Sequence, residues 1–359
     1  MTRDAPLIIG AGPAGAAAAI HLASQGAPPL VLERTLEDTD PLCGGFLSWR
    51  TLDRLAALDL DTGTLGGTPI DHVAIFAGDR RTRTALPGTG MGVSRRRLDA
   101  LLRARADAAG ATIRRGATVR AVEQGTVQLA DGETIRPGAT FLATGKRDLR
   151  GLARDARVLA DPEIGLRLRL PPDAARERAI GGAIELHLFP GGYLGLLVQE
   201  DGSANACMAV RKSLLARANG SVHRLLAMLA GRNDALAERL AGCETLPSDA
   251  VGPVPYGWIA RTTPPGLFRI GDQAACIPSL AGEGIGVALA SAERAASAWA
   301  EHGDARAYQR SMAATVQLPV RMAALARTLA TASPALSAMM PYVMRTPGLA
   351  TLLARLTRI

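Results

Sequence analysis

The chain opens on a short apolar run, Pro6-Leu7-Ile8-Ile9, which stops at Gly10 and gives way to an alanine-rich stretch reaching about Gln25. The run predicts a buried strand and the alanines a helix, with the glycines between them as a tight turn. A second apolar strand follows at Pro29-Leu30-Val31-Leu32. Residues 35–69 carry mixed signals; Cys43-Gly44-Gly45-Phe46-Leu47-Ser48 interrupts them before a helical pattern over 49–58. Residues 70–87 alternate as two strands around Gly78-Asp79, a hairpin that belongs to a second sheet. Ser94 is placed to cap a helix that begins with Arg95, Arg96 and Arg97.

Further along, 111–136 reads as short strands with turns at Gly125 and Asp131-Gly132, and 139–145 as a buried strand ending in Gly145. A strand-helix-strand start followed by that strand predicts a parallel sheet with the ligand at its carboxyl ends. Residues 161–211 change character. Ile164, Leu166, Leu168 and Leu170 alternate, and apolar runs at 183–189 and 193–198 precede a turn at Asp201-Gly202. This predicts an antiparallel sheet covered by a helical segment over 221–240. A last strand, Leu267-Phe268-Arg269-Ile270, runs into Gly271-Asp272-Gln273. A glycine-rich turn, Pro278 to Gly286, then opens a helix reaching Glu301.

Composition narrows the class. With 359 residues and 48% hydrophobic content the chain can bury a large core. Cys43, Cys207, Cys243 and Cys276 are far apart and have no paired metal spacing, so neither a zinc site nor a disulfide framework is expected; a reducing cytoplasm is. The apolar start is broken by glycines and lacks a basic lead-in, which argues against a signal peptide, and no stretch has the ~20 apolar residues of a spanning helix. Charge is uneven: the net +8 comes almost entirely from seven arginines after residue 304, where no acidic side chain occurs. Nucleic acid is not an expected partner, because aromatic content is 3% and the basic residues follow no recognition motif.

The candidate chemistry lies at the glycine turns. Gly10, Gly12 and Gly15 fall as G-x-G-x-x-G between strand and helix, and Glu33 follows about 20 positions on. Gly10 permits the turn, Gly12 leaves room for a pyrophosphate, Gly15 lets helix and strand pack closely, and the helix N-terminus aims N–H groups at the anion. The acid favours an unphosphorylated ribose, as in FAD or NAD. Arginines in the first turn after Ser94 run against the helix dipole; either one of them faces a phosphate or the face is simply solvated. Gly44-Gly45 is either a plain turn or a loop approaching a cofactor ring. Asp272 can accept from a polyol hydroxyl, and the N–H groups after Gly284 can hold negative charge on a flavin ring.

With Gly10 to Gly15, Glu33, Arg95, Ala143-Thr144-Gly145 and Gly271-Asp272 to Gly286 in one order, the chain resembles the FAD-dependent superfamily of the para-hydroxybenzoate hydroxylase fold, which includes aromatic hydroxylases and geranylgeranyl reductases. Cys43-Gly44-Gly45 and Phe189-Pro190-Gly191-Gly192-Tyr193 are similar to the geranylgeranyl reductase branch. The chain departs from that branch at Leu194 to Val198, where a tryptophan and a Phe-Pro are usual, and at Gln273, where alanine is usual. The lysine and tryptophan motif of the flavin halogenases does not occur.

The resemblance implies an α/β fold: a Rossmann-like FAD-binding domain over 1–69, 88–160 and 250–302, interrupted by an antiparallel α+β substrate domain over 70–87 and 161–249, with a C-terminal helical segment over 303–359. It implies a cofactor-binding set of Gly10, Gly12, Pro13, Ala14, Gly15, Glu33 and Arg34 around the adenosine and pyrophosphate. Cys43, Gly44, Gly45, Arg95, Thr144, Gly145, Gly271, Asp272, Pro278, Gly282, Gly284, Ile285 and Gly286 would serve the rest of the molecule. The implied activity is FAD-dependent oxidation or reduction of an apolar small molecule (polyketide-, aromatic- or isoprenoid-like), as a monooxygenase or a double-bond reductase, with NADH or NADPH as a transient electron donor. Cys43, His187 and Tyr193 are the candidate acids or bases. The alternative is a flavin-binding protein without turnover, which requires a cofactor site with no substrate cavity beside it.

The tail keeps two readings open. Apolar segments at 315–330, 335–344 and 349–356 are cut by Pro319, Pro334, Pro341 and Pro347, with arginines as the only charges. They form either a helical lid over the substrate domain or short basic amphipathic helices that touch an anionic membrane surface.

Overall fold

A computed structural model describes residues 5–155, 159–346 and 348–359. The expected parallel sheet has five strands in the order Leu267–Arg269, Thr140–Leu142, Leu7–Ile9, Leu30–Glu33, Thr112–Arg115, every neighbouring pair parallel. Helices Pro13–Ser24, Arg95–Ala108 and Gly284–Glu301 pack over it. Ala16, Ala17, Ala18 and Ala19 of the first helix are fully buried, so the alanine run is the small-residue face that lets the last of these helices lie close beside it.

An eight-stranded sheet forms the second layer, in the order Ser248–Val251, Glu163–Leu170, Ala204–Arg211, Gly192–Val198, Ala183–Phe189, Thr68–Ala77, Arg80–Gly92, Phe46–Leu47. The hairpin at Gly78-Asp79 thus joins the sheet formed by 161–211, although Ala183–Phe189 meets Thr68–Ala77 in parallel rather than antiparallel register. Strands Val119–Glu123, Thr126–Leu129 and Thr134–Ile135 make a separate small sheet. Residues 46–47 and 88–92, assigned above to the FAD-binding part, pair within the eight-stranded sheet.

The strand Gly192–Val198 shows how this layer is built. Leu194, Leu196 and Val198 point into a core under helices Ala174–Ile180 and Val222–Ala230, while Tyr193, Gly195 and Leu197 line a cavity on the other side. An antiparallel sheet commonly leaves one face to water. Here both faces are apolar because the second is the wall of a cavity.

Three expectations change. The single helix over 221–240 is two, Val222–Ala230 and Asp234–Leu240, because Gly231 ends the first and the Asn233 side chain caps the second. The helix Ala174–Ile180, between strands, follows an Asp173 cap that the alternation around it masked. Pro319 and Pro341 do not cut the tail: each lies inside a helix, Ala305–Thr331 and Pro334–Arg345. Both prolines are buried, and packing offsets the hydrogen bond each removes. Pro334 opens its helix at the position where a missing N–H costs nothing. Pro347 lies outside the described residues. A last helix, Leu349–Leu356, completes the tail.

Candidate cofactor and substrate site

The glycine turn leaves the carboxyl end of Leu7–Ile9 and feeds the helix Pro13–Ser24. A Cβ on Gly15 would fall 1.8 Å from the carbonyl oxygen of Gly10, so only glycine lets helix and turn approach this closely. At Gly12 a Cβ would meet only the Arg95 guanidinium, at 3.5 Å. Gly15 therefore serves packing, and Gly12 faces open space. No side chain caps this helix or the helix Gly284–Glu301. Ser48, Ser94, Ser221, Asp304 and Ser333 cap other helices, so an uncapped start is not the habit of this chain. Both uncapped N-termini open on one cavity, which leaves their first-turn N–H groups to a ligand.

Glu33 ends the second parallel strand and accepts the N–H groups of Ala11 (2.8 Å) and Thr35 (3.0 Å). Burial alone raises its pKa, but these hydrogen bonds prevail and hold the carboxyl below the usual glutamate range. The site therefore keeps an ionised acceptor beside the glycine turn. Of the three first-turn arginines, Arg95 is the one that lines the cavity. Its guanidinium meets Asp99 through two bonds, of 2.7 and 2.8 Å, which fix its direction and, against burial, keep it charged. Arg97 turns away to the carbonyl oxygens of Thr64 and Leu65.

Gly44-Gly45 does both things that the sequence left open. Gly45 has φ +77°, and a Cβ there would sit 2.7 Å from the Gln199 side chain; at Gly44 a Cβ would meet nothing within 4 Å. Asn205 donates to the carbonyl oxygens of Cys43 and Gly44 at 2.8 Å each, pinning the loop to the large sheet with its open side towards the cavity. Gln273, where alanine is usual, is fully buried and donates at 3.0 Å to the carbonyl oxygens of both Gly145 and Arg147. It ties the loop after Thr140–Leu142 to the turn that carries Asp272.

The cavity has a volume of about 840 Å³ and runs without a break from Glu33 and Arg34, past Arg95 and Asp272, to Met340 and Leu353 of the tail. Of the expected cofactor set, all line it except Gly15, Pro278 and Gly286. Tyr193 and Cys43 line it; His187 does not. His187 is buried, stacks on Phe76 at a centroid distance of 4.5 Å, and contacts Glu185 at 3.2 Å, which in turn holds Arg239. It belongs to a polar network within the sheet.

Several lining residues escaped the sequence reading. Tyr256 and Ser279 meet Tyr193: the Ser279 hydroxyl bonds both phenols, at 2.7 Å for Tyr256. Ser279 lies in the quoted turn, but nothing local marks it. Glu283, in the same turn, has no exposed surface, and burial raises its pKa. Its Oε2 accepts from Ser48 and lies 3.2 Å from the guanidinium of Arg358, the penultimate residue. Burial lowers the pKa of Arg358 in turn.

The donor set fits FAD. The uncapped start at Gly12 to Ala14 suits a pyrophosphate, Glu33 a ribose, Arg95 a phosphate or the ring system, and Asp272 a polyol chain. The second uncapped start, at Gly284 and Ile285, suits the charge of a reduced ring. Because the cavity continues beyond these groups, the condition for a flavin protein without turnover is not met.

Comparison with known proteins agrees. Residues 5–148 match the FAD binding domain family. The chain is 27% identical over 304 residues to digeranylgeranylglycerophospholipid reductase 2 of Methanopyrus kandleri, covering 79% of this chain and 73% of that protein. It is 27% identical over 319 residues to menaquinone reductase of Mycolicibacterium smegmatis, covering 82% and 76%. PqsL of Pseudomonas aeruginosa, solved in complex with 2-aminobenzoylacetate, shares the fold with TM-score 0.75 and 18% identity over 94% of this chain and 99% of that one. Residues 5–148 match an FAD binding domain, and over nearly its whole length the chain shares the fold of an FAD-dependent monooxygenase and of a geranylgeranyl reductase-like protein.

Proposed function

We propose that this oxidoreductase saturates double bonds in a prenyl chain, carried on a lipid or a quinone, with NADH or NADPH as a transient donor. The observation that carries this reading is the apolar end of the cavity. Val73, Ile75, Ile184, Leu186 and Leu197 form one wall and Met340, Met344 and Leu353 the other. Such a lining offers a long hydrocarbon area burial and offers a polar aromatic acid few partners. Gly195, within the segment that departs from the reductase branch, adds room: a Cβ there would have no neighbour closer than 3.7 Å. The names of both curated relatives, reductases of a digeranylgeranyl lipid and of menaquinone, support the same class.

Bound FAD supplies the two-electron reduction; the chain must hold the substrate, exclude water and provide a proton. Tyr193, Tyr256 and Ser279 set hydroxyl groups into the apolar end of the cavity, and burial raises the pKa of both tyrosines, so both stay protonated across the neutral range. Ser279 connects the two phenols, which lets Tyr256 refill a proton given up at Tyr193 Oη.

Turnover of a prenyl lipid without dioxygen, with a mass gain of two hydrogens per double bond, is the expected result. An absolute requirement for dioxygen, with oxygen appearing in the product, would make the enzyme a monooxygenase and overturn this reading. Tyr193→Phe is expected to lower kcat by about a hundredfold while FAD affinity stays unchanged, measured by turnover and by flavin fluorescence titration.

A further inference from the structure

The three tail helices have two different faces. Ala323 and Ala326 of Ala305–Thr331, Met340 and Met344 of Pro334–Arg345, and Leu353 and Ala354 of Leu349–Leu356 look into the cavity. Much of the remaining surface of these helices is exposed and apolar. Of the ten exposed large hydrophobic residues found among the described residues, seven lie between 318 and 352: Leu318, Leu325, Leu329, Met339, Tyr342, Leu349 and Leu352. On the long helix Leu318, Met322, Leu325 and Leu329 follow the i, i+4, i+7, i+11 spacing of a single stripe. Leu318, Leu325, Met339, Tyr342 and Leu352 each expose more than half of their surface, so the feature is a ridge across three packed helices.

Charge identifies the occupant. From residue 305 to the end there is no acidic side chain, and Arg306, Arg310, Arg321, Arg345 and Arg355 are exposed. Arg327 and Arg358, by contrast, pair with Glu163 and Glu283 inside the molecule. Arg321 stands beside the leucine stripe, and Arg355 is one turn from Leu352. Tyr342 carries the Arg80 guanidinium 5.1 Å from its ring centre, an amphipathic arrangement suited to headgroup depth. Apolar side chains fringed by unopposed cations complement an anionic lipid surface.

We propose that this ridge docks the enzyme on an anionic bilayer, with the tail helices forming the wall between lipid and cavity. None of the described helices is long and apolar enough to cross a membrane, so contact is peripheral. A lipid-borne substrate then has only this helical wall to pass between the bilayer and the apolar end of the cavity. Docking itself assumes nothing about the substrate.

The test is flotation of the full FAD-loaded chain with phosphatidylcholine vesicles, with and without phosphatidylglycerol. Binding is expected with phosphatidylglycerol and is expected to weaken with salt. The triple variant R321S/R345S/R355S should bind about a hundredfold more weakly, at about fivefold per arginine. The variant L318S/L325S/L352S should lose about tenfold per leucine. Both variants should keep the flavin absorbance and melting temperature of the parent, since all six side chains lie outside the cofactor site. Absence of binding to anionic vesicles, or unchanged binding by the arginine variant, overturns the proposal. So does a concentration-dependent dimer that the leucine variant abolishes, because the ridge would then be occupied by a second copy.

Discussion

Gly12→Ala is expected to give a folded protein that holds FAD poorly, and Gly15→Ala one that folds poorly. The two glycines belong to one motif, yet their surroundings differ. An added methyl at Gly12 meets only the end of the Arg95 side chain, at 3.5 Å, and projects into the cavity. It obstructs a pyrophosphate without disturbing the core. The loss of about one charge-assisted hydrogen bond weakens FAD by roughly tenfold to a hundredfold, with the melting temperature of the apoprotein unchanged. At Gly15 the same methyl would lie 1.8 Å from Gly10 O, and neither atom belongs to a flexible side chain. Helix and strand must separate, at a cost of about 3 kcal/mol, against which the better helix propensity of alanine restores about 1 kcal/mol. Thermal melting of both apoproteins and FAD titration check the contrast; equal melting temperatures would contradict it.

The second large effect is expected at the other end of the chain. Arg358→Met removes the partner of a carboxylate with no exposed surface, and breaking one side of a buried pair costs about 3–5 kcal/mol. Arg358 also donates to the Ala281 carbonyl and lies over the rings of Trp49 and Phe46, so the last turn of the chain is seated against the glycine-rich turn at the cofactor. Adding Glu283→Gln should recover much of the loss, because no buried charge is then left unpaired.

The pH dependence follows from the same pair. Glu283 has its folded pKa raised by burial, so the native state binds this proton more tightly than the unfolded chain. Stability is therefore full below the ordinary glutamate pKa and falls as pH rises from that value through the raised one. In Arg358→Met the attraction that opposes the shift is gone, and the fall extends to higher pH. Glu283→Gln abolishes it. Unfolding in urea across acidic to neutral pH reads the difference.

Much of this molecule was legible because its informative features are local. Gly10 to Gly15 sits directly between a strand and a helix, and Ser94 stands one residue before the helix it caps. A motif whose parts lie within one turn is fixed by backbone geometry, and sequence reports such geometry well. What stayed hidden depends on distant partners. Tyr193, Tyr256 and Ser279 are separated by 86 and 23 positions, and nothing in the residues around each predicts that they meet. His187 looked like a candidate because it stands in an apolar strand; Phe76 on the neighbouring strand and Glu185 two residues before it give it a structural role.

The tail shows the division most clearly. Its prolines suggested breaks, because a proline removes a backbone donor; tertiary packing carries the helices through Pro319 and Pro341 all the same. Sequence by itself determined the two glycine turns, the acid after the second strand and the all-basic tail, since each is a property of neighbouring residues. Only the tertiary structure decided that both turns open on one cavity, that the sheet presents its second apolar face to that cavity, and that the tail closes it. These are meetings of surfaces far apart in the chain, and long-range packing alone selects among them.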